Sequence, residues 1–258
     1  MDSIRQTSFQ SVRLNTESFA VPKRSDEEGD QEEQNSKDGF VESLLPAEEL
    51  DEEEEHSEGE RHESELLEKY ALWENEAAEA LLDDVFLQLE SHMQRRELQY
   101  DMLGLDTDTP FASSCPNGAI YFSRALLEAL TPEQVLFFAA HELAHTELRH
   151  YATRKRRLAE LRQVIPAPPG SSSRQRLELA AVLTVRHQEE FEADFQAGRW
   201  VGRQLGASAL TRLHELCLEL SPKSLQRPTH PPFEKRVSSL KRGEGFPSPL
   251  QYLYTLVQ

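Results

Sequence analysis

The pentapeptide His141-Glu142-Leu143-Ala144-His145 is where this sequence gathers groups able to do chemistry. It has the form H-E-x-x-H. On an α-helix a four-residue spacing stacks both imidazoles on one face, where they can ligate the same ion. Glu142 lies about 100° round the helix from His141. That puts its carboxylate beside a water activated by the ion, the position of a general base. A catalytic zinc needs a third protein ligand and one open position, and carboxylate is a common choice. Glu190, in Glu190-Phe191-Glu192-Ala193-Asp194, is the candidate. Asp194 shares its helical face and is placed to receive an N–H from a ligand histidine, fixing the tautomer. Glu189 and Glu192 are the competing acids, and solvent is the ordinary destination of each. A surface helix is the bland alternative for the pentapeptide. The run Val135 to Ala140 argues against it, because it makes the helix a buried one in which unpaired charge is costly.

Other reactive side chains read as structural. His187, three residues before Glu190, suits packing or support of a ligand better than ligation. His150 is five residues past His145, off the ligand face, which suits a structural hydrogen bond. Cys115 is a small buried residue before it is a thiolate capping the metal in a latent form. Arg154 to Arg157 read as an exposed basic patch that favours a helix C-terminus.

These groups need helices to position them. Thr131 is an N-cap, with Pro132 at the first helical position and Gln134 closing a capping box, so a long helix is predicted from Pro132 past His150. Pro166, Pro168, Pro169 and Gly170 end it in a loop. Helix resumes from Arg174 to about Leu205 and again from about Ala207 to Leu220. A short helix carries Phe233, Val237 and Leu240. Upstream, Leu67, Tyr70, Ala77, Leu81, Val85, Leu89 and Met93 recur at helical spacing, so the folded domain is predicted to begin at Ser64. Between Glu97 and Ser123 the helical period disappears and two or three short strands are expected.

The chain has 258 residues and a formal net charge of −18, yet residues 26–68 hold 20 acids against two bases, Lys37 and Arg61. All of the excess charge therefore sits in that segment and the remainder is balanced, leaving no basic footprint for nucleic acid. Residues 1–63 read as a disordered acidic arm and 64–258 as the folded domain. The arm's partner is unknown; it could screen the active-site rim or act as a solubilising tail. No stretch of about 20 apolar residues exists and the N-terminus lacks a signal-like apolar run, so a cytoplasmic location without a membrane span is the default expectation. Two cysteines in a chain of this length suit thiols, not a bridge.

Four segments in order over about residues 70–242 resemble the HtpX-like gluzincins, which include the CAAX prenyl endopeptidases, mitochondrial inner-membrane metallopeptidase relatives and periplasmic BepA-type proteases. Asn117 to Phe122 with Leu126-Leu127 looks like the family's strand and helix before the zinc helix. His141 to His150 looks like its zinc helix, and Glu190 to Asp194 its third-ligand motif. Thr229-His230-Pro231-Pro232, with Arg236 following, is similar to a downstream His-Pro motif. The resemblance implies an α+β, mainly helical zincin-type domain with a small strand edge beside the active-site helix. It implies one zinc on His141, His145 and Glu190, and catalysis by Glu142. His230 would lie near the metal, as a fourth ligand at rest or a donor to the oxyanion. Substrate backbone would add to the strand at Ala119, Ile120 and Tyr121. The predicted function is a zinc endopeptidase acting on protein or peptide. The alternative is a catalytically idle, zinc-stabilised relative that binds partners through its groove and arm.

Overall fold

The computed structural model describes residues 50–165, 170–220 and 229–256. Residues 1–49 of the predicted arm, the prolines of the loop after Ile165 and residues 221–228 lie outside that description. Nine α-helices are described: α1 (Glu52–Lys69), α2 (Glu76–Leu89), α3 (Arg124–Ala129), α4 (Pro132–Glu147), α5 (His150–Gln163), α6 (Ser172–Ala197), α7 (Arg203–Leu220), α8 (Phe233–Arg242) and α9 (Pro249–Leu256). Three strands, β1 (Asp101–Leu105), β2 (Ala112–Ser114) and β3 (Ala119–Ser123), form one sheet in the order β1-β3-β2. The architecture is mainly helical with a small sheet, as the sequence implies.

Helix α4 forms as its capping signals dictate. Thr131 accepts from Gln134 N, Gln134 reaches back, and Pro132 occupies the first turn. Its apolar residues Val135, Phe137, Ala139, Ala140 and Leu143 are fully buried against α2, β3, α7 and α8 in the main core. Gly206 lets α7 approach it closely, since a Cβ there would stand 2.3 Å from the Phe137 ring. A second apolar cluster joins α5, α6 and α9 through Leu158, Leu161, Val185 and Leu253.

Several expectations are corrected. The long helix from Pro132 does not run through His150. It stops at Leu148, and Arg149 turns left-handed (φ 51°) before α5 begins. That break redirects the chain so that α5 lies along α6. The predicted helix 174–205 ends at Ala197 and passes through a π-type turn, Gly198–Gly202, into α7. The helical period read from Leu67 to Met93 is two helices, separated where Leu72 bridges to Leu105 of β1.

The boundary at Ser64 is also wrong. Residues 52–63 belong to α1, started by Asp51 in a capping box with Glu54. Glu55 in that run is 1% exposed. Burial of a carboxylate is paid for by two guanidiniums: Arg95 donates to it at 3.0 and 2.9 Å and Arg149 at 3.1 Å.

Substrate addition to Ala119, Ile120 and Tyr121 is contradicted by the topology. β3 is the central strand, parallel to β1 and antiparallel to β2, and every one of its residues is buried. Both of its edges are occupied. The outer edge of β1 is covered where Trp73 N bonds to Gly104 O and Asp106 N to Ala71 O. β2, which packs beside α4, is the strand next to the zinc-helix motif.

Candidate metal centre and active site

His141 and His145 face α6, where Glu190 sits one turn before Asp194. The ring Nε2 atoms of the two histidines are 3.1 Å apart. Glu190 Oε2 lies 3.6 Å from His141 Nε2 and Oε1 3.5 Å from His145 Nε2. These three donors converge within 4.8 Å of one another, and they are the metal-competent group found among the described residues.

The surrounding groups dictate which nitrogens are bare. Asp194 Oδ1 stands 3.0 Å from His141 Nδ1, so the carboxylate favours a proton on that nitrogen and a lone pair on Nε2. For His145 the chain is longer. Glu192 Oε2 is 3.1 Å from His150 Nε2, so that nitrogen carries the proton and His150 Nδ1 is an acceptor. His145 Nδ1, 2.9 Å away, must then donate, and its Nε2 is bare as well. Two nitrogen lone pairs and a carboxylate facing each other call for a cation, and imidazole with carboxylate suits zinc. When only a proton is on hand it goes to His141: burial opposes it, but Asp194 and Glu190 raise this imidazole to about 9.

Arg236 of α8 ties the carboxylates together. It is buried, donates to both oxygens of Asp194 at 2.7 Å, and sets Nη1 2.9 Å from Glu190 Oε2. Burial works against the ionisation of Glu190, yet His230, Arg236 and His141 hold it well below the ordinary carboxylate range. The sequence signal for this role was an arginine on the same face as Phe233, Val237 and Leu240 in an amphipathic helix. Its partners, 42 and 46 residues back, are the marked acids Asp194 and Glu190, but nothing in the sequence pairs Arg236 with them.

Glu142 points to the other side, toward the sheet. Ser114 of β2 donates both its backbone N–H and its hydroxyl to Oε2, each at 2.9 Å. Loss of solvent and the nearby Glu190 raise the Glu142 pKa, against His141 and Ser114. Ser114 was not singled out from sequence, for nothing local marks it. His230 is on the rim, 45% exposed, with Nε2 3.8 Å from Glu190 Oε1.

The competing residues have other roles. Glu189 does not face solvent; it is 1% exposed and paired with Arg154 at 2.8 Å. Glu192 bonds Arg157 and Gln188 as well as His150, and despite burial these hold its carboxyl down to about 2. Arg154 and Arg157 of the basic patch therefore belong to α5 and bond to α6, while Arg156 pairs with Glu160 along α5. His187 packs against Tyr252, whose hydroxyl is 2.8 Å from Nδ1. Cys115 is fully buried, and burial with Glu63 and Glu142 nearby pushes its thiol up to about 12, far from a thiolate ligand. No disulfide joins it to Cys217. No described helix is long and apolar enough to cross a membrane.

A helix-borne histidine pair completed by a carboxylate from a neighbouring helix, with an acid between the histidines, defines the zincin class of metallopeptidase site. The sequence profile of Peptidase family M48 matches residues 76–244, a span containing all of these groups. The chain belongs to that family. No curated protein matches it.

Proposed function

We propose that this chain is a zinc-dependent endopeptidase whose general base is Glu142. The observation that carries the reading is the convergence of His141, His145 and Glu190, with a carboxylate on the same helix as the histidines anchored separately by Ser114. His141, His145 and Glu190 would hold the ion, and Asp194 and His150 orient the two rings. Zinc bound there would supply a Lewis acid that polarises the scissile carbonyl and acidifies a water.

Glu142 removes a proton from the attacking water as its oxygen bonds to the carbonyl carbon. It then gives that proton to the amide nitrogen as the C–N bond breaks, so no covalent enzyme intermediate is required. Ser114 holds Oε2, and no described group donates to Oε1. His230, outside the converging donor set, is suited to donate to the oxyanion from the rim rather than to ligate. An extended substrate would pair along β2, whose Ser114 already meets Glu142, in place of the buried β3.

The test is metal content by mass spectrometry on wild type and Glu142→Gln, beside proteolysis of unfolded casein. One zinc per chain in both, with cleavage reduced on the order of 10²- to 10⁴-fold in the variant, is the expected result. Zinc in both with cleavage by neither would favour the idle binding relative. Absence of zinc would overturn the ligand set.

A further inference from the structure

The turn that follows Ser114 is gripped by α1, a helix wholly outside the span that matches the family. Glu63 of α1 accepts from Asn117 Nδ2 at 2.8 Å and from the Tyr121 hydroxyl. Asn117 lies in the turn between β2 and β3, and Tyr121 in β3 just beyond it. One helical turn earlier, Gly59 lies flat on Asn117. A Cβ at that position would stand 2.4 Å from Asn117 N and 2.7 Å from its Cβ, and backbone cannot yield as a flexible side chain can. Leu66, Leu67 and Tyr70 pack against the apolar cluster of Leu105, Cys115, Ala119 and Tyr121, which includes the residue after Ser114. The ends of the turn are closed by Cys115 N bonding to Ala119 O and Gly118 N to Cys115 O.

The same helix is anchored at its other end to the C-terminus of α4. Glu55 binds Arg95 and Arg149; Arg95 also donates to Thr146 O at 3.3 Å, and Leu50 N to Ala152 O at 3.2 Å. α1 thus spans the two ends of the catalytic arrangement: the exit of the helix bearing Glu142 and the turn that follows its Ser114 partner.

We propose that Glu63 is a positioning residue for Glu142, acting through Asn117 and Ser114, and that α1 is a working part of the catalytic domain. This rests on the reading of Glu142 as the base. Glu63 touches neither metal ligand nor substrate strand. Its carboxylate fixes the turn, the turn fixes Ser114, and the two Ser114 donors fix the carboxylate that must lie within hydrogen-bond reach of the water. Displacement of a reacting group by about 1 Å can cost on the order of 10²-fold in rate, so a partial loosening is readable.

The experiment uses the full chain as wild type, Glu63→Ala, Glu63→Gln, Gly59→Ala and, on the exposed side of the same helix, Glu60→Gln. Initial rates on fluorescein-labelled casein are measured over a range of concentrations, with zinc content and amide hydrogen exchange across residues 112–118. Glu63→Ala is expected to lower kcat about tenfold with KM and zinc content unchanged, and to speed exchange in that segment. Glu63→Gln, which keeps one acceptor oxygen, recovers part of the rate. Gly59→Ala lowers kcat by the steric route, and Glu60→Gln behaves as wild type. A kcat for Glu63→Ala equal to wild type, or unchanged exchange at 112–118, overturns the proposal. If wild type itself fails to cleave casein, that result counts against the peptidase reading, and exchange at 112–118 alone decides whether Glu63 holds the turn.

Discussion

Helices α6 and α1 both put acids into the protein interior, and they differ in how their partners are reached. On α6, Glu190 and Asp194 meet His141 and Arg236; on α1, Glu55 and Glu63 meet Arg95, Arg149, Asn117 and Tyr121. All four acids meet groups distant in sequence. Only the first pair sits in a pattern that chemistry constrains, because ligands of one ion must share a helical face at fixed spacing. The second pair lies in a run of acids that looks like any solvated segment. The comparison teaches that local charge density is a poor guide to burial: Asp51 to Glu55 is uniformly acidic, and its last residue is 1% exposed.

Three substitutions would break or sharpen this contrast. The largest effect is expected at Arg236→Leu, which strips the bidentate donor from buried Asp194 and the cation from Glu190. Removing one partner of a buried pair costs roughly 3–5 kcal/mol, read as a fall in unfolding midpoint with weakened zinc binding. Next is Glu55→Ala, which leaves Arg95 and Arg149 facing each other across a vacated anion site. A loss of roughly 3 kcal/mol is expected, measured by denaturant titration; a loss under about 0.5 kcal/mol, the scale of an exposed pair, would return α1 to the status of a solvated arm. The smallest is His150→Ala, which removes the acceptor for His145 Nδ1. Zinc affinity should fall about 10- to 100-fold with little change in fold, checked by competition with a chromogenic chelator. An unchanged affinity would show that His145 is oriented without it.

Much of the site was legible from residues alone. That His141 and His145 share one helical face, and Glu190 and Asp194 another, follows from helical spacing; that these faces meet is a tertiary outcome, and His150, expected on the same helix, begins the next one. The N-terminus of α4 was legible for the same reason, since a capping box needs only three residues of context. Its C-terminus was not. The stop comes from a left-handed Arg149 held by Glu55 and by Leu50 O, contacts 94 and 99 residues away. Substrate pairing on β3 was what the family resemblance implied; the strand is central and has no free edge, because sheet order is not written in a strand's own composition. β3 is apolar because it is central.

By itself the sequence determined the local chemistry: which side chains can bind a metal, which face of a helix they share, and where helices begin. It could do so because spacing and capping act within one or two helical turns. Tertiary structure alone decided which acids are buried, which strand borders the cleft, and that Ser114, Arg236 and Glu63 support the site. Those outcomes depend on pairing between groups 28 to 94 residues apart, where desolvation makes each buried charge or donor acceptable only once its partner has arrived.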